Sequence, residues 1–318
     1  SSEIRKKIKK IKKDSKNFSN KNEIKTMSKL NFELTKDQKK ALSDINNDIS
    51  SKNKMFRLLQ GDVGSGKTIV SLISALNVIE SGYQVAFMAP TEILAKQHFN
   101  LSKKIFPNTI DLEILSSKTE YLKKKIILDK VKNNKINIVF GTHSLFQKKI
   151  LFNNLGYIII DEQHKFGVKQ RKLLSDKGGR NCDVLLMSAT PIPRTLTMTL
   201  YGDMDLSIIR EKPKFRKEIK TYSKLESKIE DVIKFVKKEL KQDNQIFWVC
   251  PLIEESKKID HESVVKKFTY LKKIFPDVVG ILHGKVDQYE KEKILQDFLN
   301  KKYKILVSTT IIEVGIDF

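Results

Sequence analysis

Residues 55–70 read Met55-Phe56-Arg57-Leu58-Leu59-Gln60-Gly61-Asp62-Val63-Gly64-Ser65-Gly66-Lys67-Thr68-Ile69-Val70. A β-type run over 55–60 enters the pattern G-x-x-x-x-G-K-[ST] at Gly61–Thr68, and an apolar-periodic stretch over 67–80 leaves it. Strand, glycine loop and helix in that order is the context that gives the pattern its meaning. Glycines at 61, 64 and 66 permit backbone angles at which several N–H groups converge on phosphate oxygens. The helix that follows offers its positive end to the same anion. In such a loop Lys67 supplies a point charge at the β and γ phosphates, and the Thr68 hydroxyl is a ligand for Mg²⁺. Asp62, Val63 and Ser65 complete the candidate nucleotide-binding stretch.

Outward from this loop, short apolar runs alternate with helical stretches. Strands are expected at 55–60, 84–89, 111–115, 136–140, 157–160 and 184–188, with helices over 67–80, 91–104 and 121–132. Runs such as Tyr157-Ile158-Ile159-Ile160 have no polar alternation, which suits parallel strands buried on both faces. The pattern predicts an α/β fold around a central parallel sheet. After Arg210 a second cycle begins. Strands are expected near 219–222 and at 245–249, 278–282 and 303–308, with helices over 226–241, 263–274 and 288–300. Two tandem α/β lobes follow, 31–210 and 211–318, behind a basic linker helix and polar linker at 1–30.

The run 157–160 ends in Asp161-Glu162, two acids at the sheet's carboxyl edge, where open α/β folds bind ligands. Asp161 is placed to hold Mg²⁺ through water and Glu162 to polarise an attacking water. With Lys67 these acids make nucleoside triphosphate hydrolysis the leading chemistry, and Lys67, Asp161 and Glu162 the candidate catalytic set.

Composition bounds the rest. The chain has 318 residues, 40% hydrophobic and 31% charged, as a core-forming protein requires. No apolar run approaches the roughly 20 residues of a membrane span. Cys182 and Cys250 form no disulfide framework or metal cluster, which points to a reducing compartment. The start, Ser1-Ser2, has no apolar stretch behind its basic residues, so no secretory signal is read and a cytoplasmic location is expected. The formal net charge of +23 suits a polyanionic partner, but only seven of the 61 basic residues are Arg, so a lysine-rich coding bias accounts for it equally well.

Three stretches are more particular: Asp161-Glu162-Gln163-His164-Lys165-Phe166-Gly167-Val168, Ser188-Ala189-Thr190-Pro191-Ile192-Pro193-Arg194-Thr195-Leu196, and Gly61–Thr68 itself. Together they resemble the helicases of superfamily two, and specifically the RecG-type branch-migrating DNA helicases. The resemblance runs from about Phe32 to Asp317. It implies two RecA-like (P-loop NTPase) lobes with ATP and Mg²⁺ between them. It also implies a monomeric motor acting on branched or forked duplex DNA in repair and recombination.

Residue by residue, the resemblance makes Phe32 and Gln38 the adenine-reading segment. Ser188, Thr190 and Arg194 become the coupling segment. Pro90, Thr91, Thr142, His143, His283, Gly284 and Thr309 would face DNA, and Gly315 and Asp317 would belong to the nucleotide site. At Thr91 and Thr142 two readings stay open, a grip on phosphate through backbone N–H groups or a plain helix cap.

The family continues with an arginine-rich motif beyond the position of Phe318, and begins with an oligonucleotide-binding wedge. The resemblance therefore implies the central part of a longer protein, with the second lobe incomplete, and this stretch by itself is expected to bind ATP but to turn it over poorly. Three rivals remain. One is a transcription-repair coupling type duplex translocase, from which Gln163-His164 departs. Another is a nucleotide-binding switch that does not hydrolyse. The weakest is a plain RNA helicase, from whose usual Asp-Glu-Ala-Asp the run Asp161-Glu162-Gln163-His164 departs.

Overall fold

Seven apolar segments pair through their backbones into one sheet. These are β1 (Phe56–Gly61), β2 (Gln84–Met88), β3 (Leu112–Leu115), β4 (Ile138–Gly141), β5 (Leu155–Ile160), β6 (Asp183–Ser188) and β7 (Asp205–Ile209). Their order is β3-β4-β2-β5-β6-β1-β7, and every neighbouring pair is parallel. The computed structural model describes residues 11–116, 119–147, 150–162, 179–190, 204–212, 219–250, 257–283 and 286–309. They fall into two compact units, Ser1–Arg216 and Lys217–Phe318.

In the first unit β2, β4, β5 and β6 are buried at every position, as runs without polar alternation require. Alternate residues serve opposite faces. Leu59, Phe87, Phe140, Ile159 and Met187 pack with α2 (Lys36–Ser50) and α3 (Lys67–Glu80), beside the shorter α1 (Lys21–Met27). Leu58, Met88, Val139, Ile160 and Leu186 form the other core with Ile127 and Val131 of α5 (Tyr121–Lys132). α4 (Glu92–Ile105) lies between β2 and β3 in sequence and contributes Ile105 to the first of these cores.

The second unit has a smaller parallel sheet, β8 (Ile246–Cys250), β9 (Val279–Leu282) and β10 (Ile305–Thr309), in the order β8-β10-β9. Its helices are α6 (Ile229–Lys241), α7 (Lys257–Ile274) and α8 (Gln288–Leu299). Val264, Leu271, Val279, Ile305 and Val307 form its core. Trp248 packs against that cluster, with Lys267 Nζ 5.5 Å from its ring centroid.

Three differences from the sequence reading have physical causes. No strand forms at 219–222: Ile219 and Tyr222 are exposed, and among the described residues no strand pairs with this run to complete a ladder. β7, which was not anticipated, pairs with β1 at the sheet's edge.

The third difference lies in residues 11–20, part of the 1–30 stretch expected to be a basic helix and polar linker, which are laid along the first unit. Lys12 bridges Asn53, and Lys13 and Lys16 are buried. Both ammonium groups converge on Asp183 Oδ2, at 2.5 and 2.7 Å, while Asp183 Oδ1 accepts from the Met55 N–H at 2.7 Å. Of the basic helix expected through Ile4, Ile8 and Ile11, only Ile11 lies within the described residues. Both cysteines are free and buried, and among the described residues no helix is long and apolar enough to cross a membrane.

Candidate nucleotide site

Because the strands of the first sheet are parallel, the loops that leave their carboxyl ends share one edge. There the chain delivers Gly61–Thr68 after β1, Pro90-Thr91 after β2, Thr142 after β4, Asp161-Glu162 after β5 and Ser188–Thr190 after β6. Each candidate is thus placed by an apolar strand that tolerates no slippage, since a one-residue shift would turn its buried faces inside out.

The phosphate loop is built around its glycines. Gly64 and Gly66 have φ of +73° and +89°. A side chain at Gly66 would also meet Gln38 Nε2 at 2.2 Å. The loop is closed by Ser65 N–H donating to Asp62 O, and α3 begins at Lys67. Lys67 is nearly buried, its Nζ donating to Gly61 O at 2.6 Å and Asp62 O at 3.1 Å. The ammonium is thereby held inside the loop, where an anion's charge would be met.

Gln38 is the support beneath. Thr35 and Gln38 form a reciprocal cap at the start of α2: Gln38 N–H donates to Thr35 Oγ1 and Thr35 N–H donates to Gln38 Oε1. The same amide donates from Nε2 to Ser65 O at 2.8 Å. Gln38 is buried and ties the start of α2 to the glycine loop. Phe32, six residues before Gln38, is exposed. Asp37, next along α2, accepts from the Arg210 and Glu211 N–H groups, which hold its carboxyl below the usual range. Lys212 pairs with Asp62 at 3.2 Å.

At the end of β5 Asp161 and Glu162 are both buried. Asp161 N–H donates to Met88 O, and its Oδ2 lies 2.9 Å from Nε2 of His98 on α4. Glu162 has φ of +48°, an unfavourable left-handed conformation for a residue with a side chain. Such strain costs about 1–3 kcal/mol and persists where surrounding structure enforces it.

The remaining candidates divide. Thr91 caps α4, its hydroxyl accepting from Leu94 N–H, so the capping reading describes its side chain. Thr142 is nearly buried and precedes a 3₁₀ turn at His143–Phe146, its backbone carbonyl accepting from Leu145 N–H. Ser188 and Thr190 hydroxyls are 3.0 Å apart, and Gln60 of β1 reaches the Thr190 carbonyl at 3.5 Å. In the second unit, His283 follows β9 and Thr309 ends β10. Thr309 is buried. Arg194, Gly284, Gly315 and Asp317 lie outside the described residues, as does the His143 side chain. His98 is the residue whose partner the sequence reading missed; 63 residues separate it from Asp161.

Known proteins carry the same arrangement. Residues 35–199 match the DEAD/DEAH box helicase family, and residues 227–318 match the helicase conserved C-terminal domain. The chain is 49% identical over 296 residues to the ATP-dependent DNA helicase RecG of Aquifex aeolicus, covering 92% of this chain and 37% of that protein. It is 44% identical over 303 residues to the RecG of Bacillus subtilis, covering 94% and 44%. Among solved structures, RecG bound to a three-way DNA junction superimposes with a TM-score of 0.85 at 39% identity, over 99% of this chain and 41% of that one. The DEAD-box helicase Mss116, at 20% identity and a TM-score of 0.62, shares the fold. The chain thus spans about two-fifths of the length of these RecG relatives. With more than half its length matched by the family model, the chain belongs to the DEAD/DEAH box helicases of superfamily two, and it is of the RecG type.

Proposed function

We propose that this chain is the ATP-driven motor segment of a helicase that remodels branched DNA, such as forks and recombination junctions. The observation that carries the proposal is the convergence of Gly61–Thr68 and Asp161-Glu162 on one edge of a single parallel sheet. The RecG relatives, named as ATP-dependent DNA helicases, and the RecG structure on a three-way junction support the choice of substrate. In this reading lobe one spans 31–210, lobe two spans 211–318, and the protein works as a monomer in the cytoplasm.

The residues present fit Mg²⁺. The Thr68 hydroxyl and Asp161 carboxylate are hard oxygen donors, and no group of three or more His, Cys, Asp or Glu that could cage a metal lies among the described residues. An ion held this way keeps water and substrate phosphates in its shell, as Mg²⁺ does. When bound, it would neutralise charge on the phosphates.

The protein's own part is positioning and charge. The phosphate-loop N–H groups and Lys67 bind and orient the triphosphate. Glu162, buried and fixed by its backbone, orients the attacking water and receives its proton. Little covalent work is left for the chain. Phe32 offers a face for adenine, and Gln38 holds that segment against the loop. Pro90, Thr91, Thr142, His143, His283, Gly284 and Thr309 are the proposed DNA-facing set, Ser188, Thr190 and Arg194 the coupling set, and Gly315 and Asp317 complete the nucleotide site.

The test is DNA-stimulated phosphate release by the protein and by Lys67→Ala. The variant is expected to fold normally and to lose at least about 10²-fold in turnover, the scale for removing one charge-stabilising donor. Unchanged release by a folded variant would contradict the proposal.

A further inference from the structure

His98 stands seven residues after Thr91 on α4, two turns along the same face. Its Nε2 meets Asp161 Oδ2 at 2.9 Å, with both side chains only about a tenth exposed. A carboxylate only accepts, so the ring presents its proton on Nε2. The ring is held in turn. It lies against Phe87 of β2, centroids 4.8 Å apart, and Phe87 packs on Phe140 of β4 at 5.3 Å. Ser102 donates from its hydroxyl to the His98 carbonyl one turn on. Asp161 is therefore fixed twice: its backbone N–H is bound to β2, and its carboxylate is bound to α4.

Any buried imidazole needs a partner, and a backbone carbonyl would satisfy it. Here the partner is the carboxylate proposed to face Mg²⁺. The donor rides on the helix whose first turn is proposed to face DNA.

We propose that His98 is a positioning residue. It orients the Asp161 carboxylate for the metal ion and, through α4, links the nucleic-acid-facing turn at Thr91 to the nucleotide site. The inference rests on the reading of Asp161 given above. One carboxylate oxygen held by His98 stops rotation about the Cβ–Cγ bond, so the other is presented in a single direction. α4 rises about 1.5 Å per residue, so Thr91 and His98 are about 10 Å apart on one rigid rod. A displacement of its first turn on DNA is carried to the ring and from the ring to the carboxylate.

The test uses Mn²⁺ as a paramagnetic probe, titrated into the protein with a non-hydrolysable ATP analogue and followed by electron paramagnetic resonance. His98→Leu fills the same space and donates nothing. It is expected to weaken Mn²⁺ by about 10–100-fold, the range for losing an outer partner of a metal ligand, while metal-free nucleotide affinity is kept. His98→Gln, whose amide nitrogen reaches the place of Nε2, is expected to recover most of the loss. The ratio of DNA-stimulated to basal ATP turnover at saturating Mg²⁺ should fall in the Leu variant and recover in the Gln variant.

A folded His98→Leu with wild-type Mn²⁺ affinity overturns the proposal, as does a Gln variant no better than Leu. Loss of Mn²⁺ affinity with an unchanged stimulation ratio overturns the link through α4 and leaves the positioning role. If His98→Leu does not fold, His98→Asn takes its place, since its shorter amide stops short of Asp161. Lys67→Ala separates this inference from the reading beneath it. If that variant binds nucleotide as wild type does, the nucleotide site itself is misplaced. If it loses nucleotide while His98→Leu keeps Mn²⁺, only the role of His98 fails.

Discussion

The two edges of the first sheet bury polar groups in opposite ways. At the amino edge every polar atom of Gln84 is used: Nε2 donates to the Val131 and Ile136 carbonyls, and Oε1 accepts from Asn153 and Asn154 N–H. Asp183 there takes two ammonium groups and one backbone N–H. Burial pulls the Lys13 ammonium below its usual pKa, and Asp183 opposes that fall. At the carboxyl edge the glycines adopt left-handed angles, Glu162 sits in a strained one, and Lys67 is turned into its own loop. The contrast teaches that burial of charge is not itself a functional sign. The Gln84 and Asp183 networks, closed on themselves, are scaffold, whereas at the carboxyl edge strained backbone stands beside glycine and acid, where the chemistry is proposed.

Four variants or conditions break or sharpen this contrast. The largest effect belongs to the carboxyl edge. Gly66→Ala puts a methyl carbon 2.2 Å from Gln38 Nε2 at a φ of +89°, so nucleotide binding should disappear in a calorimetric titration while the sheet stays folded. At the amino edge Asp183→Ala leaves Lys13 and Lys16 buried without a counter-charge. Breaking such a cluster costs about 3–5 kcal/mol. Thermal unfolding should show the loss, and nucleotide affinity of the protein still folded at low temperature should not change.

Gln84→Leu leaves the Ile136 carbonyl and the Asn153 and Asn154 N–H groups without their side-chain partner, while the Val131 carbonyl keeps Asn134 N–H at 3.2 Å. About 3 kcal/mol of stability should go, the low end of about 1–3 kcal/mol for each of the three groups because two of them are only part-buried, again without loss of nucleotide affinity.

The smallest effect is a pH slope. Burial pushes the Cys182 thiol from 9.0 up to about 12, so above pH 9 the unfolded chain loses a proton that the folded one keeps. Stability through Cys182 therefore falls as the pH rises through that window. Lys13, with its lowered pKa, acts in the opposite sense as the pH approaches 10.5. Comparing Cys182→Ala with the parent at pH 8 and pH 10 isolates the thiol, and the variant should lose less stability between the two.

Much of the carboxyl edge was legible because its chemistry is local. Gly61–Thr68 carries its turn angles, the N–H groups proposed to bind phosphate and its lysine in eight consecutive residues. Tyr157–Glu162 reads as a buried strand ending in acids. The amino edge was not legible in this way. Lys13 and Lys16 look like solvated linker residues until Asp183, 170 and 167 residues away, is brought beneath them. The contact of His98 with Asp161 was hidden for the same reason. A different kind of miss is α2, whose reciprocal Thr35–Gln38 cap is written in the sequence as T-x-x-Q but was read there only as an adenine contact. The strand expected at 219–222 shows the reverse error, since local β propensity does not supply a neighbour.

The measurement that tests the division most directly pairs one variant from each edge, Glu162→Gln and Asp183→Asn. For both, the melting temperature and DNA-stimulated ATP turnover are measured at a temperature where both are folded. Glu162→Gln should retain its melting temperature and Mg²⁺-ATP binding while turnover falls by about 10²–10⁴, the share of a positioned general base. Asp183→Asn should melt well below the parent and turn ATP over at the parental rate while folded. Turnover retained by Glu162→Gln, or lost by folded Asp183→Asn, would contradict the assignment of chemistry to one edge and scaffold to the other.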